Sequence, residues 1–188
     1  MSPPFLILHG LQGSGPGHWQ TWLAARLRAA GGRVAYPDLP DADAPSPAAW
    51  HETLDAQLDG LGAAPVVVCH SLSCVLWLHH AAQVHGRRAE RVLLVAPPSA
   101  SAPVPEIAPF FPAPVDATAV AEAAAQTRIV CSDDDPYCPE GAAALYAEPL
   151  AVEADVLPGR GHLNPETGLG AWPAVEAWCR EGTTPVTA

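Results

Sequence analysis

The chain has 188 residues, a length that fits one domain spanning residues 1–188 with a substantial hydrophobic core. Its 20 acidic and 9 basic residues give a net charge of −11, which argues against nucleic acid and anionic membranes as partners. Neither a signal peptide nor a membrane-length apolar run is visible, so we expect a cytoplasmic protein.

The first predicted strand, residues 5–9, runs into a glycine-rich loop over residues 10–17. This loop lacks the Lys-Ser/Thr ending of a P-loop, and its glycines do not have the G-x-G-x-x-G spacing of a dinucleotide site. The sequence therefore argues against nucleotide binding. A loop after the first strand can instead aim a backbone N–H at an oxyanion, and Leu11 or Gln12 would supply that donor here.

A helix, a short strand and a second helix follow the glycine-rich loop. Tryptophan and leucine recur at helical spacing in both helices, which predicts that one face of each packs on the core. The predicted ranges are 18–30 for the first helix, 34–36 for the strand and 48–61 for the second helix.

Residues 65–76, P-V-V-V-C-H-S-L-S-C-V-L, change abruptly from a strand pattern to a helix pattern. Three consecutive valines predict a strand buried on both faces, and the apolar spacing becomes helical after Cys69. Ser71 therefore lies at a sharp strand-to-helix turn, where an α/β hydrolase holds its nucleophile. The N–H of Leu72 would face the oxyanion from the helix N-terminus. The alternative is that Ser71 is an ordinary helix cap.

Residues 97–114 contain seven prolines, which exclude a long helix or a central strand. We expect an extended loop across the catalytic end of the sheet, and no cap domain. Phe110 and Phe111 in this loop either line the substrate pocket or pack the loop onto the core.

Three more strands and a closing helix complete the prediction, at residues 91–96, 127–131, 152–157 and 173–180. Strands that alternate with helices predict a three-layer α/β fold, with a six-stranded parallel sheet and helices on both faces. In such a sheet the functional residues gather at the carboxyl ends of the strands.

Three such strand ends carry the residues of a serine hydrolase. Ser71 follows the third strand, an aspartate loop follows the fifth, and His162 follows the sixth, in the Ser…Asp…His order of α/β hydrolases. His162 can take the proton of Ser71 because an imidazole titrates near neutrality. A carboxylate would fix the tautomer of His162 and stabilise its cation.

Three aspartates compete for the carboxylate role in the loop C-S-D-D-D-P-Y-C-P, residues 131–139. Asp135 is preferred because it precedes a proline, as in the D-x-x-V-P turn that carries this acid in many hydrolases. Asp134 is the alternative, and Asp133 is interpreted as a solvated turn residue.

The other histidines and the cysteines are given no catalytic role. His9 and His70 lie near the predicted site and are expected to shape the pocket. No H-x-x-x-H pattern or similar cluster is present, so we expect no metal and no other cofactor. The five cysteines are odd in number and include no CxxC pair, which favours free thiols.

Several blocks resemble the small serine hydrolases related to retinoblastoma-binding hydrolase, a compact branch of the α/β-hydrolase superfamily. They are H-G-L-Q-G-S-G-P-G-H-W-Q (9–20), P-D-L-P (37–40), H-S-L (70–72), S-D-D-D-P-Y-C-P (132–139) and G-H-L-N-P-E-T-G-L-G-A-W-P (161–173). The resemblance covers nearly the whole chain. It implies a minimal six-stranded hydrolase fold without a cap, and a triad of Ser71, Asp135 and His162.

The chain departs from this pattern in two places. Cys69 and Ser73 stand where the G-x-S-x-G motif has glycines, and the L-x-C-x-E motif for retinoblastoma-type partners is absent. We therefore expect a serine hydrolase that cleaves small esters or amides, with a carboxylesterase preferred and no such protein partner. The alternative is a binding module that kept the fold and lost efficient catalysis.

Overall fold

The computed structural model describes residues 3–86 and 88–187 of the chain. Their strands form one parallel sheet of six, in the order β2-β1-β3-β4-β5-β6, which confirms the predicted sheet. The strands are β1 (Phe5–Leu8), β2 (Val34–Ala35), β3 (Val66–His70), β4 (Ala89–Val95), β5 (Ala124–Ser132) and β6 (Glu153–Leu157).

Helices cover both faces of this sheet, and each face has its own apolar layer. Along β1, Leu6 and Leu8 join one layer with α2 to α5, while Phe5 and Ile7 join the other with α1 and α6. The helices are α1 (Trp19–Ala29), α2 (Pro47–Leu61), α3 (Leu72–Gln83), α4 (Ala117–Ala123), α5 (Glu148–Leu150) and α6 (Pro173–Glu181).

Helices α4 and α5 were not predicted from the sequence. The α4 sequence, A-T-A-V-A-E-A, buries only Val120 and Ala123, so its apolar spacing is weak although alanine favours helix. A π-helical turn, Ala143–Ala147, leads directly into α5. The proline-rich loop is as expected without a long helix or a strand, but it contains a 3₁₀ turn at Pro105–Phe110.

Among the described residues, no helix combines the length and the apolar character needed to cross a bilayer.

All five cysteines are buried and free. Burial raises the pKa of the Cys131 thiol to about 11 and that of Cys138 to about 12, so these thiols are neutral at ordinary pH.

Candidate active site

Ser71 lies on a strained turn between β3 and α3. Its φ of 57° and ψ of −125° are rare for a residue with a side chain, and its N–H donates to the Val95 carbonyl on the neighbouring strand. The Ser71 side chain makes no capping hydrogen bond to α3. The helix-cap alternative therefore does not describe this serine, whose hydroxyl is left free for another partner.

Cys69 and Ser73, which replace the two glycines of the G-x-S-x-G motif, are both buried in the strand-to-helix turn around Ser71, which we call the elbow. Ser73 Oγ accepts the N–H of His70 at 2.9 Å and lies 2.8 Å from the carbonyl of Leu8 on β1. Cys69 is completely buried in β3, and burial raises the pKa of its thiol. The Ser73 hydroxyl thus ties the elbow to the first strand, a link that glycine cannot make.

Gly10 lets the glycine-rich loop approach this elbow. A Cβ atom at residue 10 would lie 2.7 Å from the Cβ of Ser71 and 3.0 Å from the carbonyl oxygen of His70. Such contacts are closer than atoms tolerate, so only glycine permits this approach.

The side chains of Ser71, His162 and Asp135 form one hydrogen-bonded row. His162 Nε2 lies 2.8 Å from Ser71 Oγ, and His162 Nδ1 lies 2.8 Å and 3.0 Å from the two Asp135 oxygens. The Tyr137 N–H also donates to Asp135, at 2.9 Å. With Nδ1–H donating to the carboxylate, Nε2 can accept the proton of Ser71.

The other two aspartates bind the loop that follows β6 and carries His162 (residues 158–164, the histidine loop), and not the imidazole. Asp134 accepts hydrogen bonds from the Ser132 hydroxyl and the Gly161 N–H, which lower the pKa of this exposed carboxyl. Asp133 accepts the N–H of Gly159. Neither makes a hydrogen bond to His162, so the geometry separates Asp135 from its competitors.

Further contacts that fix this loop were not predicted. Ser132 Oγ accepts the N–H of Arg160 at 2.9 Å, and Trp19 Nε1 donates to the carbonyl of Leu163 at 2.8 Å. The Tyr137 ring packs edge-on against the His162 imidazole, with 4.4 Å between ring centroids. The sequence marked Trp19 only as a core residue, because helical spacing shows burial and not the direction of an indole N–H.

Of the three proposed oxyanion donors, the structure leaves two available. The N–H of Gln12 donates to the carbonyl of Ala42 at 2.8 Å, so Gln12 was a wrong choice. Within the part of the chain that the structure describes, the amides of Leu11 and Leu72 have no hydrogen-bond acceptor. Leu72 opens α3, where an unpaired N–H is normal and favours an anion.

Three of the four expected pocket residues have structural contacts instead. His9 bridges the Gly10 carbonyl and the Leu39 N–H with its two ring nitrogens. Phe110 is buried against Trp50, so the interpretation of this ring as loop packing is the correct one. His70 is buried, and its Nε2 donates to the His162 carbonyl at 3.1 Å. Phe111 is half-buried.

Two surface grooves of about 480 Å³ and 460 Å³ lie away from the triad, along β6 and between α4 and β5, and neither is lined by a triad residue. Among residues 3–86 and 88–187, no cluster of three or more His, Cys, Asp or Glu side chains is arranged to hold a metal ion.

Solved structures with the same architecture include enzymes of the α/β-hydrolase fold. The ydeN gene product of B. subtilis is 22% identical, with a TM-score of 0.82 over 94% of this chain and 96% of that one. A protein described as a YdeN-like hydrolase from Pectobacterium atrosepticum is 19% identical, with a TM-score of 0.75 over 96% and 90%. The monoacylglycerol lipase of Paleococcus ferrophilus is 17% identical, with a TM-score of 0.65 over 97% of each chain.

The chain matches a family model but no individual curated sequence. No curated protein sequence matches the chain. The family model described as serine hydrolase matches residues 5–181, which is nearly the whole chain. The resemblance inferred from the sequence blocks is thus confirmed, and the chain belongs to the serine hydrolase family. Its fold is that of the α/β hydrolases.

Proposed function

We propose that the protein is a serine hydrolase of small carboxylic esters that works through an acyl-enzyme on Ser71. The observation that carries the proposal is the row of short contacts from Ser71 Oγ through the His162 ring to Asp135. A serine hydroxyl is a weak nucleophile unless a positioned base removes its proton, and this row supplies that base.

The reaction then proceeds in two steps, acylation of Ser71 and hydrolysis of the acyl-enzyme. Ser71 Oγ attacks the ester carbonyl while its proton passes to His162 Nε2, and the carbonyl π electrons move to oxygen. The amides of Leu72 and Leu11 donate to that oxyanion. Collapse breaks the ester C–O bond, and the leaving oxygen takes the proton from His162. A water molecule, whose proton passes to His162, then attacks the acyl carbonyl in the same way. The bond to Ser71 Oγ breaks, Oγ takes the proton back from His162, and the carboxylic acid is released.

Esters are preferred over amides because an ester carbonyl is less stabilised by resonance and an alkoxide is a better leaving group than an amine anion. The proposal also draws on the monoacylglycerol lipase that shares the fold, since monoacylglycerols are carboxylic esters. Esters of short acyl chains are therefore the substrates to test first.

Fluorophosphonate labelling with peptide mass mapping tests the proposal. We expect an adduct on Ser71 in the wild type and none in Ser71→Ala or His162→Ala, with ester turnover lowered about 10⁶-fold in each variant. His85→Gln is the matched control, because His85 is exposed and follows the C-terminus of α3, whereas Ser71 precedes its N-terminus. Thermal unfolding of each variant checks that the fold is retained.

Two outcomes would contradict the proposal. Wild-type ester turnover in folded Ser71→Ala would exclude Ser71 as the nucleophile. A folded wild type without any adduct or turnover would favour the binding module instead.

A further inference from the structure

Three histidine rings lie in a row beside the triad. The His70 ring centroid lies 4.9 Å from that of His18 and 5.1 Å from that of His162. All three side chains are buried, with residue exposures of 6% for His18, 5% for His70 and 7% for His162. The proposed reaction uses only His162, so the other two require an explanation.

His70 connects the nucleophile and the base directly. It precedes Ser71 in the chain, and its ring Nε2–H donates to the backbone carbonyl of His162 at 3.1 Å. One side chain therefore fixes the distance between the elbow and the histidine loop. The His70 backbone is itself held, because its N–H donates to Ser73 Oγ at 2.9 Å.

His18 supports His70 from the N-terminus of α1, and its hydrogen bonding requires a neutral ring. His18 Nδ1 accepts the N–H of Gln20 at 3.2 Å, which is the capping bond of that helix. Protonation of Nδ1 would remove this bond and would place a cation at the positive end of the helix dipole. The next residue, Trp19, donates to Leu163 beside the catalytic histidine.

We propose that His70, supported by His18, is a positioning residue that aims His162 at Ser71 and keeps the positive charge of the reaction on His162 alone. This proposal rests on the proposed function. Among the residues that the structure describes, the carboxylate of Asp135 is hydrogen-bonded to the His162 ring, and no carboxylate is hydrogen-bonded to the His70 or His18 ring.

The charges around the row act in the same direction. Burial lowers the pKa of His70, and the neighbouring His162, His18 and His9 rings lower it further. Burial likewise lowers the pKa of His18 to about 4, with His162 and His9 as the next causes. A proton taken from Ser71 thus has one favourable place, the imidazole that Asp135 stabilises.

Two substitutions separate the hydrogen bond from the ring. His70→Phe keeps a planar ring and removes the donor, whereas His70→Gln keeps an N–H donor at similar reach without a titrating group. We expect labelling of Ser71 and kcat to fall about 10- to 100-fold in His70→Phe with KM within about twofold, since misaiming by an ångström affects the chemical step most. His70→Gln should recover most of the rate, and His85→Gln is the control.

An NMR measurement tests the same proposal without activity. The Nδ1–H resonance of His162, bonded to Asp135, should be sharp in the wild type and His70→Gln and broadened or lost in folded His70→Phe. Between pH 7 and pH 5 the His18 and His70 rings of the wild type should stay neutral, because burial lowers the pKa of both. An unchanged resonance in His70→Phe, or protonation of His70 between pH 7 and pH 5, would overturn the proposal.

The two proposals fail in different ways. Absence of any Ser71 adduct in the wild type contradicts the proposed function, and the resonances still decide the role of His70. If His70→Phe does not fold, the wild-type titration and the His70→Gln rate decide. A charged His70 ring between pH 7 and pH 5, or a 10-fold or greater loss of kcat in His70→Gln, would overturn the proposed role of His70.

Discussion

The three consecutive aspartates have different environments although they share one loop. Asp135 is buried and bonded to the His162 ring, whereas Asp133 and Asp134 are exposed and bonded to backbone amides of the histidine loop. A carboxylate that orients an imidazole must be rigid and shielded from water. A carboxylate that only anchors a loop can be replaced by its amide, because the amide keeps an oxygen acceptor.

This difference predicts unequal effects of two identical substitutions. Asp135→Asn should lower kcat by about 10⁴-fold, because an amide cannot fix the tautomer of His162 or stabilise its cation. Asp134→Asn keeps an acceptor for the Gly161 N–H and should lower kcat by less than about 10-fold. Ester turnover by the two purified variants measures this, and a larger loss in Asp134→Asn would reverse the assignment.

The sequence could predict the three residues of the hydrogen-bonded Ser71–His162–Asp135 row, but not the contacts that hold these residues in place. Ser71, Asp135 and His162 follow strands of a parallel sheet, and strand ends meet at one edge whatever the side chains do. The bonds of His70 to the His162 carbonyl and of Trp19 to the Leu163 carbonyl join segments far apart in the chain. No local pattern encodes such a bond, so neither role could be predicted.

At the scale of the elements, the elbow joins β1, β3 and α3 through one hydroxyl. Ser73 Oγ contacts the Leu8 carbonyl and the His70 N–H, all within the buried part of the chain. The replacement of the usual glycine is therefore a gain of hydrogen bonds at a position that still has room for a small side chain. From the sequence, this replacement could be described only as a departure from the G-x-S-x-G motif, because a sequence does not show hydrogen bonds between strands.

Restoring the glycine should weaken the fold. Ser73→Gly leaves the buried His70 N–H without its acceptor and adds the cost of glycine in a helix, whereas the Leu8 carbonyl keeps the Gln20 side chain as a donor. The free energy of unfolding should therefore fall by about 2–4 kcal/mol. Urea unfolding measures the loss, with the exposed His85→Gln as the control. A variant as stable as the wild type would show that the hydroxyl contributes nothing.

Strands with continuous β-branched or aliphatic runs were predicted well, and the alanine-rich helices were not. Val66, Val67 and Val68 are fully buried on both faces, as their sequence indicates. In α4, alanine residues make both buried and exposed positions small, so the periodic signal of a packed face disappears. The helix forms because α3, β5 and α5 pack against it, which is tertiary information.

At the scale of the whole molecule, neutral histidines that are wholly or partly buried make the fold sensitive to acid. His18, His51, His70 and His80 all have a lowered pKa, and burial is the largest cause in each case. In the unfolded chain these rings titrate near pH 6.5. Between the folded and unfolded pKa values the unfolded state binds more protons, so acid favours unfolding. The stabilisation is complete above about pH 6.5 and is lost as the pH falls.

His18 permits a clean test because asparagine caps helices as well and does not titrate. With its pKa at about 4, His18 should account for about 2 kcal/mol of the stability lost between pH 7 and pH 5. The fall in the free energy of unfolding between these pH values should therefore be about 2 kcal/mol smaller in His18→Asn, measured by urea unfolding. An equal fall in the wild type and in His18→Asn would mean that folding does not lower the pKa of His18, so that its ring is charged in the folded protein at pH 5. The capping bond from the Gln20 N–H would then have to be absent in solution at that pH.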